Sequence, residues 1–272
     1  MSGRDERPVV WLLSAYQAAS HAAWVAWLRG CMPRVNWRVC ELTGRHFRWR
    51  IRGNPLSWMD RLPADPPDRI LATSMVDLAT LRGLNPRIAH VPACYYFHEN
   101  QFAYPPSDRQ VACIEPQMVQ LYGALSAQRV LFNSAYNRDS FVDGVVALLH
   151  KMPDAVPEGI ARDLAARAEL LPIPIPDIPR APEPDPRLIV WNHRWEYDKA
   201  PERMLAALLE LHEAGIDFTA HVVGQQFRQQ PAVFVEMYPR LQQHIGEWGM
   251  LESARDYKAL LQGAHVVLSN AL

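Results

Sequence analysis

Lysine is nearly missing from this chain of 272 residues: Lys151, Lys199 and Lys258 are the only three among 28 Lys and Arg residues. Arginine is therefore its default cation, and a lone arginine carries little information. Cysteine is scarce too, at four residues, Cys31, Cys40, Cys94 and Cys113. None form a Cys-x-x-Cys pair and no histidine lies at zinc-finger spacing, so they read as reduced thiols and no metal site is expected. The 13 glycines include no Gly-x-Gly-x-x-Gly and no Gly-x-x-x-x-Gly-Lys-[Ser/Thr]. Dinucleotide redox chemistry and phosphate-loop ATPase chemistry lose support. No Gly-x-Ser-x-Gly is present, and Ser14, Ser20 and His21 lack an evident triad partner, which argues against a serine hydrolase. Asp217-Phe-Thr has no neighbouring acid that would complete an Asp-x-Asp metal clamp. Long hydrophobic runs are also absent: Val9–Ala15 and Ala22–Leu28 are too short or too interrupted to cross a bilayer. The charged start, Met1-Ser-Gly-Arg-Asp-Glu-Arg, lacks a signal-peptide cleavage pattern, so a cytoplasmic protein without membrane association is expected.

What is present describes a folded, globular chain. Hydrophobic residues make up 49% and charged residues 21%, which excludes a disordered or collagen-like protein. The net charge of −1 hides an asymmetry. Between Trp24 and Arg61 stand Arg29, Arg34, Arg38, Arg45, Arg48, Arg50, Arg52 and Arg61, against the acids Glu41 and Asp60. Trp37, Phe47, Trp49 and Trp58 are interleaved. Arginines with interspersed aromatics suit phosphate contact and base stacking; a solvated face of an arginine-rich chain has the same composition.

Short apolar runs alternate with helical stretches. Strands are expected at Val9–Ser14, Val35–Leu42, Arg69–Thr73, Ala93–Phe97, Val130–Phe132 and Leu170–Ile173. Helices fit between them at Ser20–Gly30 (with Ser20 as N-cap), Met75–Arg82, Glu115–Ser126, Tyr136–Leu149 and Glu158–Ala168. This rhythm predicts a doubly wound parallel sheet. Prolines at alternate positions through Pro172–Pro186 read as an extended linker. The rhythm then restarts with strand Leu188–Trp191, helix Pro201–Ala214, strand Phe218–Val223, helices Ala232–Leu241 and Ser253–Gln262, and strand Val266–Ser269. The expectation is an α/β protein with two Rossmann-like lobes facing a cleft, residues 1–180 and 181–272. The second lobe is expected to be incomplete at its C-terminus, because the sequence stops just after a strand.

Open α/β sheets place ligands beyond the C-terminal ends of their strands. Those positions hold Ser14–His21, His98-Glu-Asn-Gln-Phe-Ala-Tyr-Pro105, Asn133-Ser-Ala-Tyr-Asn137, Asn192-His-Arg-Trp-Glu-Tyr-Asp-Lys199 and Gly224. A histidine just after a buried strand suits a hydrogen bond to a hydroxyl or a developing charge. It equally suits a capping or core-satisfying role. Arg194 and Lys199, just before a helix starting near Pro201, suit a pyrophosphate; surface ion pairs with Glu196 or Asp198 are the alternative. The Gly246-Glu-Trp-Gly249 segment reads as a turn that could contact a base.

Tyr96-Phe-His-Glu-Asn-Gln-Phe-Ala-Tyr-Pro105 resembles the signature of the tRNA-queuosine α-mannosyltransferase family, related to glycosyltransferase family 4. Phe132-Asn-Ser-Ala-Tyr-Asn-Arg-Asp-Ser-Phe141, Trp191-Asn-His-Arg-Trp-Glu-Tyr-Asp-Lys199 and Val266-Val-Leu-Ser-Asn-Ala271 resemble further family segments in the same order. The resemblance implies a GT-B fold, a GDP-mannose donor, retaining transfer without a metal or other cofactor, and the cyclopentene hydroxyl of queuosine in tRNA as acceptor. It places His98 and Glu99 at the reacting sugar and Arg194 and Lys199 on the donor diphosphate. Asn192, Gly224, Trp248 and Ser269 join the donor side. Ser20, His21, Asn100, Gln101, Asn133 and Ser134 fall to the acceptor side, with Arg48 and Arg50 on tRNA phosphates. The sequence departs from the family at Ala15-Tyr-Gln-Ala-Ala-Ser-His21, where alanines replace a glycine pair, and it ends before the family's glutamate pair. A glycosyltransferase with a lipid, metabolite or other modified base as acceptor, and a non-catalytic nucleotide-sugar or tRNA-binding module, are the alternatives. Oligomeric state is not legible.

Overall fold

The computed structural model describes residues 7–105, 113–175, 177–227 and 230–271. The chain divides into two compact units, Met1–Pro174 and Ile175–Leu272; the boundary expected at 180/181 falls inside the second.

The first unit is built on six parallel strands: β1 (Val9–Gln17), β2 (Asn36–Thr43), β3 (Arg69–Thr73), β4 (Ala93–Phe97), β5 (Arg129–Phe132) and β6 (Ala168–Leu170). They lie in the order β2-β1-β3-β4-β5-β6. The interior strands are apolar on both faces, as parallel strands covered by helices must be. Alternation sorts their side chains. Leu12, Tyr96 and Leu131 point to one face and pack with Trp24 and Val25 of α1 (Ala19–Cys31). Trp11, Leu13, Tyr95, Phe97, Val130 and Phe132 point to the other. There they meet α2 (Phe47–Trp58), α3 (Leu78–Leu84), α4 (Glu115–Ser126) and α5 (Ala135–Leu149). Helix α6 (Ile160–Arg167) adds Leu164. Phe97 stacks on Phe132 with centroids 4.5 Å apart, and both touch Phe141; truncating such a buried ring to alanine costs about 3–5 kcal/mol.

The chain steps from β1 out to β2, then back across β1 to β3. The reversal puts a topological switch point between β1 and β3, where a crevice opens beyond the strand C-termini. An apolar cavity of about 570 Å³ lies elsewhere, lined by Val10, Trp24, Ile70, Ala93 and Arg129 near the strand N-terminal ends.

The second unit carries β7 (Asp185–Trp191), β8 (Thr219–Val223), β9 (Ile245–Gly249) and β10 (Ala264–Leu268), parallel and ordered β10-β7-β8-β9. Trp191, Val222 and Phe218 pack against α7 (Pro201–Glu213) and α8 (Val233–Leu241). On the opposite face Val190 and Val223 pack with Leu260 and Leu261 of α9 (Ala254–Gly263).

Several expected boundaries need correction. Ser20 is not the N-cap of α1: the cap position is Ala18, and Ser20 sits exposed inside the first turn. Helix α3 starts at Leu78, because the buried Asp77 carboxylate accepts from Thr80 N–H and sets the cap there. The last strand of the first sheet is Ala168–Leu170, not Leu170–Ile173, and the linker gives Asp185 and Pro186 to β7. The segment Gly246–Gly249 is not a turn but most of β9, paired with β8.

Candidate active site

The crevice beyond β1, β3, β4 and β5 gathers the first unit's polar residues. At the end of β1, the Tyr16 carbonyl lies 2.8 Å from His21 Nδ1, turning that ring back over the strand end. The His21 ring stacks on His98, with centroids 4.2 Å apart and planes 25° off parallel. His98 is enclosed on its other sides by Trp24 and Tyr96, edge-on at 4.7 and 4.8 Å. Its Nε2 is buried and makes no hydrogen bond among the described residues. Burial, aided by the adjacent His21, pushes the His98 pKa down to about 3, so the ring is a neutral donor or acceptor at physiological pH. Glu99 Oε2 lies 3.8 Å from His21 Nε2.

The backbone around His98 is held from four elements. Asn133 Nδ2 donates to the His98 carbonyl at 2.7 Å. Ser74 Oγ and Gln120 Nε2 donate to the Glu99 carbonyl at 3.0 and 3.3 Å. Asn100 is buried; its Nδ2 donates to Asn137 Oδ1 at 2.8 Å, and its Oδ1 accepts from the N–H groups of Phe102 and Ala103. Asn137 in turn donates to the Phe97 carbonyl and to Asn133 Oδ1. Ser134 caps α5 through Asn137 N–H. Gln101 N–H donates to Gln120 Oε1 at 2.7 Å. The structure thus brings His21, His98, Glu99, Asn100, Gln101, Asn133 and Ser134 together at one sheet edge. Most of the amides there fix the loop. Among the described residues, His98 Nε2 has unspent hydrogen-bonding capacity, as do Ser14 Oγ of β1 and Thr73 Oγ1 at the end of β3.

Sequence reasoning missed Ser74, Gln120 and Asn54. Ser74 follows the end of β3 directly, so the strand-end rule finds it; Gln120 and Asn54 lie inside helices and give no local signal. Asn54 Nδ2 donates to the Met75 carbonyl and its Oδ1 accepts from Asp77 N–H, fastening the segment after β3.

The expected arginine face resolves into separate elements. Arg48, Arg50 and Arg52 lie on α2, which sequence reasoning left unassigned. Arg48 is exposed. Arg50 faces partly inward, with a buried Nε that makes no hydrogen bond among the described residues. Arg52 Nη1 holds the buried Asp77 carboxylate at 2.6 Å. Arg48 and Arg50, two positions apart on a helix, point in different directions, so the structure does not bring them to one face.

In the second unit the loop after β7 runs from Asn192 to Ala200. It is shaped by Gly224, whose φ of +153° and close approach leave no room for a side chain: a Cβ there would sit 1.8 Å from the His193 carbonyl oxygen. Trp195 N–H donates to the Gln225 carbonyl, and Asn270 Nδ2 to that of Ala200. Asn192 Nδ2 donates to Tyr257 Oη at 2.8 Å. Both cations of the loop hold carboxylates: Arg194 Nη1 lies 2.9 Å from Glu196 Oε2, and Lys199 Nζ 2.7 Å from Asp198 Oδ2. Burial raises the Glu196 pKa, with Arg194 opposing the rise. Asp198 Oδ1 is buried and makes no hydrogen bond among the described residues. Trp248 is half-buried in β9, its ring edge-on to Trp195 at 5.0 Å and 4.9 Å from Tyr238. Ser269 lies exposed just past β10. No group of three or more His, Cys, Asp or Glu poised for a metal occurs among the described residues, and no described helix is long and apolar enough to cross a membrane.

Solved structures of similar fold include the lipopolysaccharide outer core galactosyltransferase WaaB (TM-score 0.57, 8% identity, 97% of this chain and 74% of that one). A UDP-forming α,α-trehalose-phosphate synthase from Burkholderia xenovorans gives a TM-score of 0.59 at 11% identity, over 97% and 78% of the two chains. The fold is therefore of the GT-B type, with two Rossmann-like units. A family model described as the N-terminal part of tRNA-queuosine α-mannosyltransferase matches residues 9–175. A tRNA-queuosine α-mannosyltransferase of Drosophila melanogaster is 29% identical over 280 residues, covering 97% of this chain and 74% of its own length. This chain belongs to the tRNA-queuosine α-mannosyltransferase family, and its activity class is that of a hexosyltransferase.

Proposed function

We propose that this protein moves mannose, with retention of configuration, from GDP-mannose to the cyclopentene hydroxyl of queuosine in tRNA. The observation that carries the reading is His98. Its neutral ring stands just past β4, stacked on His21 in the crevice beyond the strand C-termini of a hexosyltransferase-family sheet, with a buried Nε2 that makes no hydrogen bond among the described residues. A sugar hydroxyl or the acceptor hydroxyl supplies the partner. A protonated ring there would repel the positive charge that develops on the sugar as its bond to the diphosphate breaks; a neutral one does not. Glu99 follows His98 in the chain and lies beside His21, so it contributes negative charge near the same centre. Ser20, His21, Asn100, Gln101, Asn133 and Ser134 shape the acceptor side.

The electron pair of the breaking bond goes to the diphosphate. Arg194 and Lys199, in the loop that leads into α7, are the groups suited to that growing charge. Their carboxylate partners Glu196 and Asp198 hold them in place until phosphate competes for the same N–H groups. Two cations suffice for the diphosphate, so the proposal calls for no metal. Asn192, Gly224, Trp248 and Ser269 complete the donor side, and the partners are a nucleotide sugar and queuosine-containing tRNA in a cytoplasmic setting.

The test is to incubate the chain with GDP-mannose and queuosine-containing tRNA and then to analyse the nucleosides by mass spectrometry. Queuosine heavier by one hexose supports the reading. Consumption of GDP-mannose with queuosine unchanged assigns a different acceptor, and tight binding of both substrates without turnover assigns a binding module.

A further inference from the structure

Helix α2 begins at the same sheet edge as the imidazole pair. It follows β2, whose exit is pinned to the end of β1: Gly44 N–H donates to the Gln17 carbonyl, and a Cβ on Gly44 would meet that oxygen at 2.6 Å. Phe47, the first residue of α2, packs edge-on against Tyr16 at 6.1 Å. Tyr16 is the residue whose carbonyl meets His21. The first turn of α2 is therefore two contacts from the stacked pair.

Helix α2 presents an unusual surface. Ile51, Asn54, Pro55 and Trp58 face inward and are buried. At helical spacing, Arg48, Trp49, Arg52 and Leu56 share the outward face. Trp49 is 56% exposed, which is rare for so large an apolar ring. It lies across Gly53, one turn on: a Cβ there would meet the indole at 2.4 Å, against Cε2, Cδ2 and Cζ2. The glycine lets the indole lie against the helix with the rest of the ring left to solvent. Arg48, exposed, and Arg52, tied to Asp77 yet half exposed, flank it.

We propose that Trp49 is a stacking platform for an unpaired base of the RNA acceptor, next to the nucleoside that enters the crevice. This rests on the tRNA reading above and adds a recognition element to it. An indole face bounded by guanidinium groups is the chemistry that holds single-stranded nucleic acid: the ring takes a base and the cations take the flanking phosphates. The consequence is a preference for tRNA in which the target loop is open.

The experiment measures affinity for queuosine-containing tRNA over a range of salt, for the parent and for Trp49→Ala, Trp49→Phe, Gly53→Ala and Arg48→Ala. Trp49→Ala is expected to weaken binding roughly 5- to 100-fold with the slope of log affinity against log salt unchanged. Trp49→Phe restores most of the loss. Gly53→Ala weakens binding by displacing the indole, although alanine favours a helix. Arg48→Ala instead reduces the salt slope by about one contact. When the target loop is annealed to a complementary strand, the parent and Trp49→Ala bind alike. Equal affinity of parent and Trp49→Ala for the open tRNA overturns the platform while leaving the tRNA reading intact. A parent that binds no tRNA overturns both. Far-ultraviolet circular dichroism of each variant confirms that the exposed substitutions leave the fold in place.

Discussion

The rings of His21 and His98 stack at 4.2 Å although one comes from the first turn of α1 and the other from just past β4. They cannot both be charged at that distance without strong repulsion. Burial, aided by the adjacent His21, keeps His98 neutral down to about pH 3. Stability follows from this with a definite sign. An unfolded chain protonates the residue near 6.5, so between about 3 and 6.5 the unfolded state holds the extra proton. The contribution is fully present above 6.5 and is lost as the pH falls below it. Urea unfolding at pH 7 and pH 5 should show the parent losing more stability on acidification than His98→Gln. Equal losses would place the acid sensitivity elsewhere.

The same residue has a kinetic signature. His98→Ala should lower turnover at least tenfold while leaving affinity for GDP-mannose nearly unchanged, because the ring's hydrogen bond is made to a hydroxyl near the reacting carbon. Transfer rates at saturating donor, beside calorimetric affinities, separate the two effects. Unchanged turnover makes the histidine purely structural.

On the donor side, Arg194→Ala and Lys199→Ala should each weaken GDP binding by about 1.5–3 kcal/mol, the range for hydrogen bonds to charged groups. Each also strips a partner from Glu196 or Asp198, so Arg194→Gln and Lys199→Gln serve as controls for packing. GDP affinity equal to the parent's in both series removes their phosphate role.

Gly224→Ala should be severe. The substitution asks for a φ near +153° and sets a methyl 1.8 Å from the His193 carbonyl, so the Asn192–Lys199 loop must move. A fall in melting temperature of several degrees with loss of GDP binding is expected; a variant with the parent's values contradicts the close approach.

Asn137 joins Phe97, Asn100 and Asn133 through its side chain. Asn137→Ala leaves buried polar groups unpaired and should cost about 1–3 kcal/mol by urea titration, with a larger fractional loss of turnover than of donor affinity.

Much of this was legible beforehand. Arg69–Thr73, Ala93–Phe97 and Glu115–Ser126 have the bounds that periodicity assigns, because apolar residues there sit between clear breakers. Helix α2 was not legible. Its mean hydropathy is low, it contains Gly53 and Pro55, and no side chain caps it; the burial of Ile51, Asn54 and Trp58 against the sheet makes it a helix. Strand β9 was hidden by Gly246 and Gly249, which read as turn residues. Gly246 is needed because a Cβ would meet the His221 ring at 2.5 Å, a contact no local pattern encodes. For the site, the rule that ligands gather at strand ends found His98 and its neighbours. The pairing of Arg194 with Glu196 and of Lys199 with Asp198 was legible as the alternative to a phosphate site; the path of that loop's backbone, set by the close approach of Gly224, was not.

The central claim is most directly tested with radiolabelled mannose supplied as GDP-mannose to two tRNAs alike except at one position, queuosine in one and guanosine in the other. The account predicts label in the queuosine tRNA alone, released with the queuosine nucleoside on digestion. Equal label in both tRNAs, or label in neither while GDP-mannose is consumed, would contradict it.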